Sequence, residues 1–257
     1  MRVSIIYFSG TGNTKSIAIG YGRALEKMGH DVSISSIEKV STLEEHDVLI
    51  IGGPIYAGNM PHELIHWVRK NIPRATGNKS AIVFSTSAGL ENANGVKSIG
   101  KKLARRGYAI IDLTVFEMPR NFYVEKYDPT PETIQKQQFK DAAQKIINSV
   151  GHIHNTTPRI VRDSVFIIDM LADLFSIMAK SMGKNFAIDE TCLSCGTCER
   201  DCPKQNISFK DKKYHNRCIL CTRCIHNCPV NAISYKGKKI ESYRVHNEIY
   251  FDEELLQ

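Results

Sequence analysis

The first 191 residues of this 257-residue chain contain no cysteine; all eight lie between positions 192 and 228. That distribution excludes a disulfide framework of the kind that holds small secreted domains together. The opening Met1-Arg2-Val3-Ser4-Ile5-Ile6-Tyr7-Phe8 enters a strand-like apolar run too short for a signal peptide or a membrane span, so a cytoplasmic location is expected. No long apolar segment is uninterrupted: Val165 to Met178 is broken by Asp169 and Asp173. Two acids near the middle of a span would be costly, so this stretch is expected to be a helix packing between domains or in a dimer, not a transmembrane segment. Dense basic tracts are also missing. The formal charge of +7 is spread over short groups such as Lys101-Lys102, Arg105-Arg106 and Lys212-Lys213, read as solvated faces, and no nucleic-acid partner is expected. Neither paired carboxylates nor a Ser/His/Asp order suggests hydrolysis, and the histidines form no ligand spacing. Trp67, the one tryptophan, stands at helical spacing from Leu64 and Lys70 and is assigned to the core.

The cysteines themselves form two runs, Cys192-x-x-Cys195-x-x-Cys198-x-x-x-Cys202-Pro203 and Cys218-x-x-Cys221-x-x-Cys224-x-x-x-Cys228-Pro229. Structural zinc usually takes paired Cys-x-x-Cys knuckles from separate places, without a third cysteine and a Cys-Pro. Iron-sulfur spacing fits better. Three thiolates at intervals of three residues can close around one cubane cluster, while the fourth points toward a neighbouring cluster. Two [4Fe-4S] clusters with exchanged fourth ligands are therefore expected. Cys192, Cys195, Cys198 and Cys228 would hold the first, and Cys218, Cys221, Cys224 and Cys202 the second. The surrounding sequence repeats with a period of 26, Ile207-Ser208 recurring as Ile233-Ser234, which implies two half-domains about a pseudo-twofold axis. This region resembles bacterial two-cluster ferredoxins; Asn206 departs from the small residue, Ala232, found in the second half. His226, between two of the cysteines, is taken as a surface histidine.

Upstream, Val- and Ile-rich runs at 3–8, 32–34, 48–51, 82–84 and 110–116 alternate with helical stretches at 13–28, 61–71, 95–106 and 131–150. Such alternation implies a parallel sheet covered on both faces, with its ligand at the carboxyl ends of the strands. The first strand leads into Ser9-Gly10-Thr11-Gly12-Asn13-Thr14-Lys15 and then a helix. Bending glycines, hydroxyl donors and a helix N-terminus suit a phosphate. The loop lacks Gly-Lys-Ser/Thr, and Lys15 stands where a dinucleotide fingerprint needs its third glycine, so nucleotide triphosphate and NAD are both disfavoured.

Ile5-Ile6-Tyr7-Phe8-Ser9-Gly10-Thr11-Gly12-Asn13-Thr14 resembles the first strand and phosphate loop of the flavodoxin family; Tyr21 replaces the family's usual aliphatic residue. The resemblance implies an α/β fold, a flavodoxin-like doubly wound five-stranded parallel sheet in the order 2-1-3-4-5. It also implies FMN, with Ser9, Thr11, Gly12, Asn13 and Thr14 around its phosphate. Two loops would flank the ring, one with Pro54, Ile55, Tyr56, Ala57 and Gly58, the other with Ser85, Thr86, Ser87, Ala88 and Gly89. Tyr56 matches the family's stacking aromatic, and the Ala57-Gly58 peptide could present its carbonyl to the protonated flavin N5 in the one-electron-reduced form. A second aromatic is missing, with Leu90 and Glu91 in its place, and the loop from Met118 to Tyr123 could cover that side.

The chain thus divides into a flavodoxin-like FMN-binding domain (1–150), a linker with an amphipathic helix (151–185), a small α+β ferredoxin-like domain with two [4Fe-4S] clusters (186–236) and a tail (237–257). Taken together, these resemble the fused flavodoxin/ferredoxin proteins of anaerobic microbes. The expected function is electron transfer between the two clusters and FMN, with redox partner proteins as donors or acceptors. The alternatives are an FMN-dependent reductase of a small organic substrate fed by the clusters, and a redox-sensing module.

Overall fold

The computed structural model describes residues 1–40, 42–89, 93–122, 128–154, 157–159, 161 and 166–243. Strands β1 (Arg2–Tyr7), β2 (Asp31–Ser36), β3 (Val48–Pro54), β4 (Ser80–Ser87) and β5 (Ala109–Glu117) form one all-parallel sheet in the order β2-β1-β3-β4-β5. The architecture is flavodoxin-like, as the alternating apolar runs anticipated. Because β1, β3 and β4 are covered on both faces, their residues are buried almost without alternation.

Helices α1 (Asn13–Lys27) and α4 (Glu132–Gly151) cover one face. Their core joins Ile5, Ile50, Phe84 and Phe116 to Tyr21 and Ile146. Tyr21 is fully buried: its ring lies 5.3 Å from Phe84, and its hydroxyl donates to Ser149 Oγ at 2.8 Å. The aromatic at this position is thereby accommodated, since a buried phenol needs a partner for its O-H. Gly52 leaves the room that Phe84 fills; a Cβ there would stand 2.0 Å from the ring. On the other face α2 (His62–Asn71) and α3 (Asn94–Ala104) pack Leu64, Trp67, Val68, Ile99 and Leu103 against Leu49, Ile51 and Val83. Trp67 is in the core, as its spacing indicated.

Helix α5 (Phe166–Met182) does not belong to the sheet. It turns Asp169, Ala172 and Ala179 inward and leaves Ile167, Met170, Leu174 and Ile177 exposed. Asp169 receives Lys102 Nζ at 2.5 Å, Ser98 Oγ at 2.6 Å and Asn59 Nδ2 at 3.0 Å. Lys102, expected on a solvated face, is buried for this reason: its charge has a carboxylate partner.

The C-terminal module is built on β6 (Phe186–Ile188), β9 (Ile233–Tyr235) and β10 (Lys238–Lys239), with β7 (Ile207–Ser208) paired to β8 (Lys213–Tyr214) and two short helices, α6 (Thr197–Arg200) and α7 (Arg223–His226). Its core includes Phe186, Ile225, Tyr235 and Ile240. The module therefore runs beyond position 236, where the tail was expected to begin; residues 244–257 lie outside the described residues, as do Leu90, Glu91 and Tyr123. Backbone conformation repeats with the sequence. Ser194, Gly196 and Gln205 are left-handed, with φ of 54, 71 and 47°, and so are Leu220, Thr222 and Asn231 at 55, 55 and 52°, each 26 positions on.

Candidate cofactor sites

The loop after β1 is bent at Gly12, whose φ of 116° suits glycine. Ser9 Oγ accepts from the Gly12 amide at 3.1 Å and the Lys15 amide at 3.3 Å, which closes the turn. The amides of Thr11, Asn13 and Thr14 meet no acceptor among the described residues and sit at the N-terminus of α1. This arrangement suits an anion, because the first turn of a helix leaves its N-H groups unpaired and carries positive potential. The side chains are committed elsewhere. Thr14 Oγ1 pairs with Thr86 Oγ1 at 2.8 Å, Asn13 Nδ2 donates to Pro119 O at 2.8 Å, and Asn121 Nδ2 donates to Thr11 Oγ1. Asn13 and Thr14 would thus meet a phosphate mainly through their backbone.

Of the two flanking loops, the first makes a tight turn: Tyr56 and Asn59 exchange backbone bonds at 2.7 and 3.2 Å around left-handed Ala57 and Gly58. Asn59 is fully buried, its side chain reaching the Met60 amide and Asp169. Pro54 ends β3, and Ile55 continues it by donating its amide to Thr86 O at 2.9 Å. In the second loop Ser85 is fully buried with its Oγ unpartnered, Thr86 is buried against Thr14, and Ser87 and Ala88 lead to left-handed Gly89. The unpaired amides at the start of α1 are donors that suit a phosphate ester.

The eight cysteines, all unpaired, gather into two cavities. One is lined by Cys192, Cys195, Cys198 and Cys228, the other by Cys202, Cys218, Cys221 and Cys224. Each is a narrow cavity of about 20 Å3, partly open to solvent. Backbone amides approach the sulfurs in matching pairs: Ser194 to Cys192 and Leu220 to Cys218, both at 3.4 Å, then Asn206 to Cys202 at 3.3 Å and Ala232 to Cys228 at 3.2 Å. Four cysteines lining each cavity, with amide donors on two of each set's sulfurs, are the residue types an iron-sulfur cluster would use. Burial pushes the Cys221 thiol up to about 12 and the Cys198 thiol up to about 11, so ligation at these positions releases protons.

The two halves share a backbone but face different surroundings. Leu193 is 66 % exposed, whereas its counterpart Ile219 is 7 % exposed and packs in the second sheet core with Cys221 and Tyr56 beside it. Thr197 is replaced by Arg223, which spends its guanidinium on the first domain. Arg223 donates to Ser9 O at 2.5 Å, Gly10 O at 3.0 Å, Asp201 O at 2.9 Å and both oxygens of Glu38 at 2.8 and 2.6 Å. Burial opposes its charge, but the Glu38 carboxylate raises its pKa above the usual value. Gly10 carries no side chain because none fits: a Cβ would lie 2.6 Å from Tyr56 Oη and 2.8 Å from Cys221 O. Tyr56 thus stands beside the cysteine loop as well as beside the phosphate loop, and burial raises its pKa well above 10.0.

Arg200 is likewise replaced by His226. Expected on the surface, His226 is 2 % exposed, with Nε2 2.7 Å from Asn121 O and Nδ1 accepting the Tyr243 amide at 2.8 Å. Burial lowers its pKa to about 4, consistent with a neutral ring. Tyr243 Oη in turn donates to Asn13 Oδ1 at 3.3 Å. The loop from Met118 to Tyr123, which could cover the flavin's open side, meets the C-terminal module through Asn121. Neither Arg223 nor Glu38 was singled out from sequence; Arg223 was detectable only as the place where the 26-residue repeat breaks between two cysteines.

Residues 4–117 match the Flavodoxin domain, and residues 212–234 the 4Fe-4S binding domain. The flavodoxin domain implies FMN, and the second match at least one 4Fe-4S cluster. No curated protein matches the sequence. Among solved structures, a flavodoxin from the domain Archaea is 20% identical and covers 57% of this chain and 99% of its own, with a TM-score of 0.38. Flavodoxin 2 from Bacillus cereus is 22% identical over 59% of this chain and 99% of its own, with a TM-score of 0.44. Rubredoxin oxygen:oxidoreductase from the anaerobe Desulfovibrio gigas is 13% identical over 60% of this chain and 37% of its own, with a TM-score of 0.39. The flavodoxin domain and the cysteine-rich module are thus joined on one chain, and among the described residues no helix is long and apolar enough to cross a membrane.

Proposed function

We propose that this chain is an intramolecular electron-transfer protein carrying FMN and two [4Fe-4S] clusters, which exchanges electrons with separate redox proteins. The observation that carries the proposal is the contact of the Cys218–Cys224 loop with the phosphate loop, where Arg223 holds Ser9 O and Gly10 O. When bound, the FMN supplies one- and two-electron chemistry and the clusters supply single-electron chemistry.

Cys192, Cys195, Cys198 and Cys228 are assigned to the first cluster, and Cys218, Cys221, Cys224 and Cys202 to the second, because these sets line the two cavities. The amides of Thr11, Asn13 and Thr14 and the turn at Gly12 would hold the phosphate, with the 54–58 and 85–89 loops beside the ring. The second cysteine set faces inward, its loop against Gly10 and Tyr56. The first set faces outward, with Cys195 exposed. This order places the internal exchange at the second set and the external exchange at the first. The working compartment would be one that keeps thiols reduced, the cytoplasm.

Protein purified under argon should contain FMN together with iron and sulfide sufficient for two clusters. Reductive titration followed by EPR should show two interacting cluster signals and a flavin signal. Lack of iron and FMN in such a preparation would sink the reading. A chain with one cluster would retain its coarser form only.

A further inference from the structure

The two turns that flank the outward-facing cysteine loop carry lysines on rigid backbone. The β7-β8 turn closes through the Lys212 amide to Phe209 O at 3.2 Å, with Lys212 left-handed, and the β9-β10 turn is left-handed at Lys236 and Gly237. Lys210, Lys212, Lys213, Lys236, Lys238 and Lys239 are all exposed on these turns. Two of them are tied to the approach to the first cavity. Phe209 lines it, and Lys212 Nζ and Lys239 Nζ both reach Asp189, three residues before Cys192, at 3.3 and 2.9 Å. The acids on the same segments are five: Asp189, already paired, Asp211, which accepts from Ser208, Glu190, Glu199 and Glu241. Exposed Cys195 and Leu193, an apolar side chain 66 % exposed, line the same cavity as Phe209.

We propose that this face is the docking surface for a small acidic redox protein. The inference rests on the reading of the chain as an electron carrier and names its partner's chemistry. A lysine rim around an exposed apolar residue has the anatomy of a transient interface, in which charge steers the encounter and a small apolar contact sets the distance. The opposite, inward half cannot serve a partner, because Ile219, Arg223 and His226 are buried against the first domain. Nucleic acid is disfavoured: the rim offers no exposed aromatic for stacking, Phe209 being held against Gly196.

The test uses the holoprotein prepared anaerobically and a plant-type [2Fe-2S] ferredoxin of strongly negative charge as the probe, with affinity measured by calorimetry. Binding should weaken about tenfold or more between low and physiological salt. The triple variant Lys210→Glu, Lys213→Glu, Lys238→Glu should weaken low-salt binding at least about tenfold, while Lys136→Glu with Lys140→Glu on α4 should leave it unchanged. Leu193→Ser should weaken binding without altering its salt dependence. Iron content and thermal melting of each variant confirm that the fold and clusters persist. No binding by the wild-type chain, equal loss from the α4 variant, or a DNA duplex binding as tightly as the ferredoxin would overturn the proposal. If both clusters and FMN are present and the triple variant still binds normally, this inference alone fails; if iron is absent, the function reading itself fails.

Discussion

Arg223 and Glu38 form a two-toothed ion pair, at 2.8 and 2.6 Å, between the cysteine-rich module and the loop after β2. The side chains are 14 and 30 % exposed, so the pair is shielded from solvent more than a surface salt bridge. Two further bonds from the same guanidinium cross to Gly10 O and Ser9 O of the first domain, while a third stays inside the module at Asp201 O.

Arg223→Ala should lower the stability of the intact chain by about 2–3 kcal/mol, because it leaves Glu38 and three carbonyls without a donor. Arg223→Lys should recover little of this, since one ammonium cannot reproduce a planar fork. Urea denaturation of the holoprotein measures both, and stopped-flow reduction should show slower equilibration between clusters and flavin in the alanine variant.

In a chain holding the two clusters proposed above, Gly183→Ala should remove one and spare the other. A Cβ at position 183 would lie 2.1 Å from the Cβ of Cys218 and 2.8 Å from its sulfur, so Cys218 must move. Iron per chain should fall from about eight atoms to about four. Loss of both clusters would show instead that the two cavities form as a unit.

Ile219→Ala should cost about 2–4 kcal/mol and Leu193→Ala close to nothing, although the two occupy equivalent places in the repeat. The difference follows from 7 % against 66 % exposure. Paired thermal melts under argon read it directly.

Asp169 titrates below its ordinary value of 3.8. Burial would raise it, but Lys102, Ser98 and Asn59 together outweigh that. A depressed folded value means the carboxylate's stabilising contribution is complete above the unfolded value near 3.8 and is lost as pH falls through the lower folded one. Asp169→Asn should therefore destabilise by a constant amount between about pH 5 and 7, and carbon NMR of the Asp169 carboxyl should give a midpoint below 3.8. Lys102→Met, which removes the nearer cation of Asp169 and leaves it Arg69 at 3.4 Å, should cost about 1–3 kcal/mol.

Periodicity made the sheet legible. Val- and Ile-rich runs set two helices apart on each face, and strand positions followed within a residue or two for β1 and β5. Cysteine spacing was equally informative, because ligand intervals are local geometry. What sequence did not show was side-chain traffic between distant segments. Lys102 looked like half of a solvated basic pair and is buried, since its partner Asp169 lies 67 positions away. His226 looked like surface and is buried, because Asn121 and Tyr243 arrive from elsewhere in the chain. Local pattern records which face of an element is apolar; it does not record which polar residue meets another across a packed boundary.

Each cysteine cavity borrows its fourth sulfur from the other half: Cys228 lines the first and Cys202 the second. The module is therefore indivisible. Severing the polypeptide in the turn between β7 and β8 would leave each fragment with three sulfurs of one cavity and the fourth sulfur of the other, and neither could complete its site until it found its partner. A repeat that looks like two units in sequence behaves as a single closed object, and any rearrangement of its gene must carry both halves together.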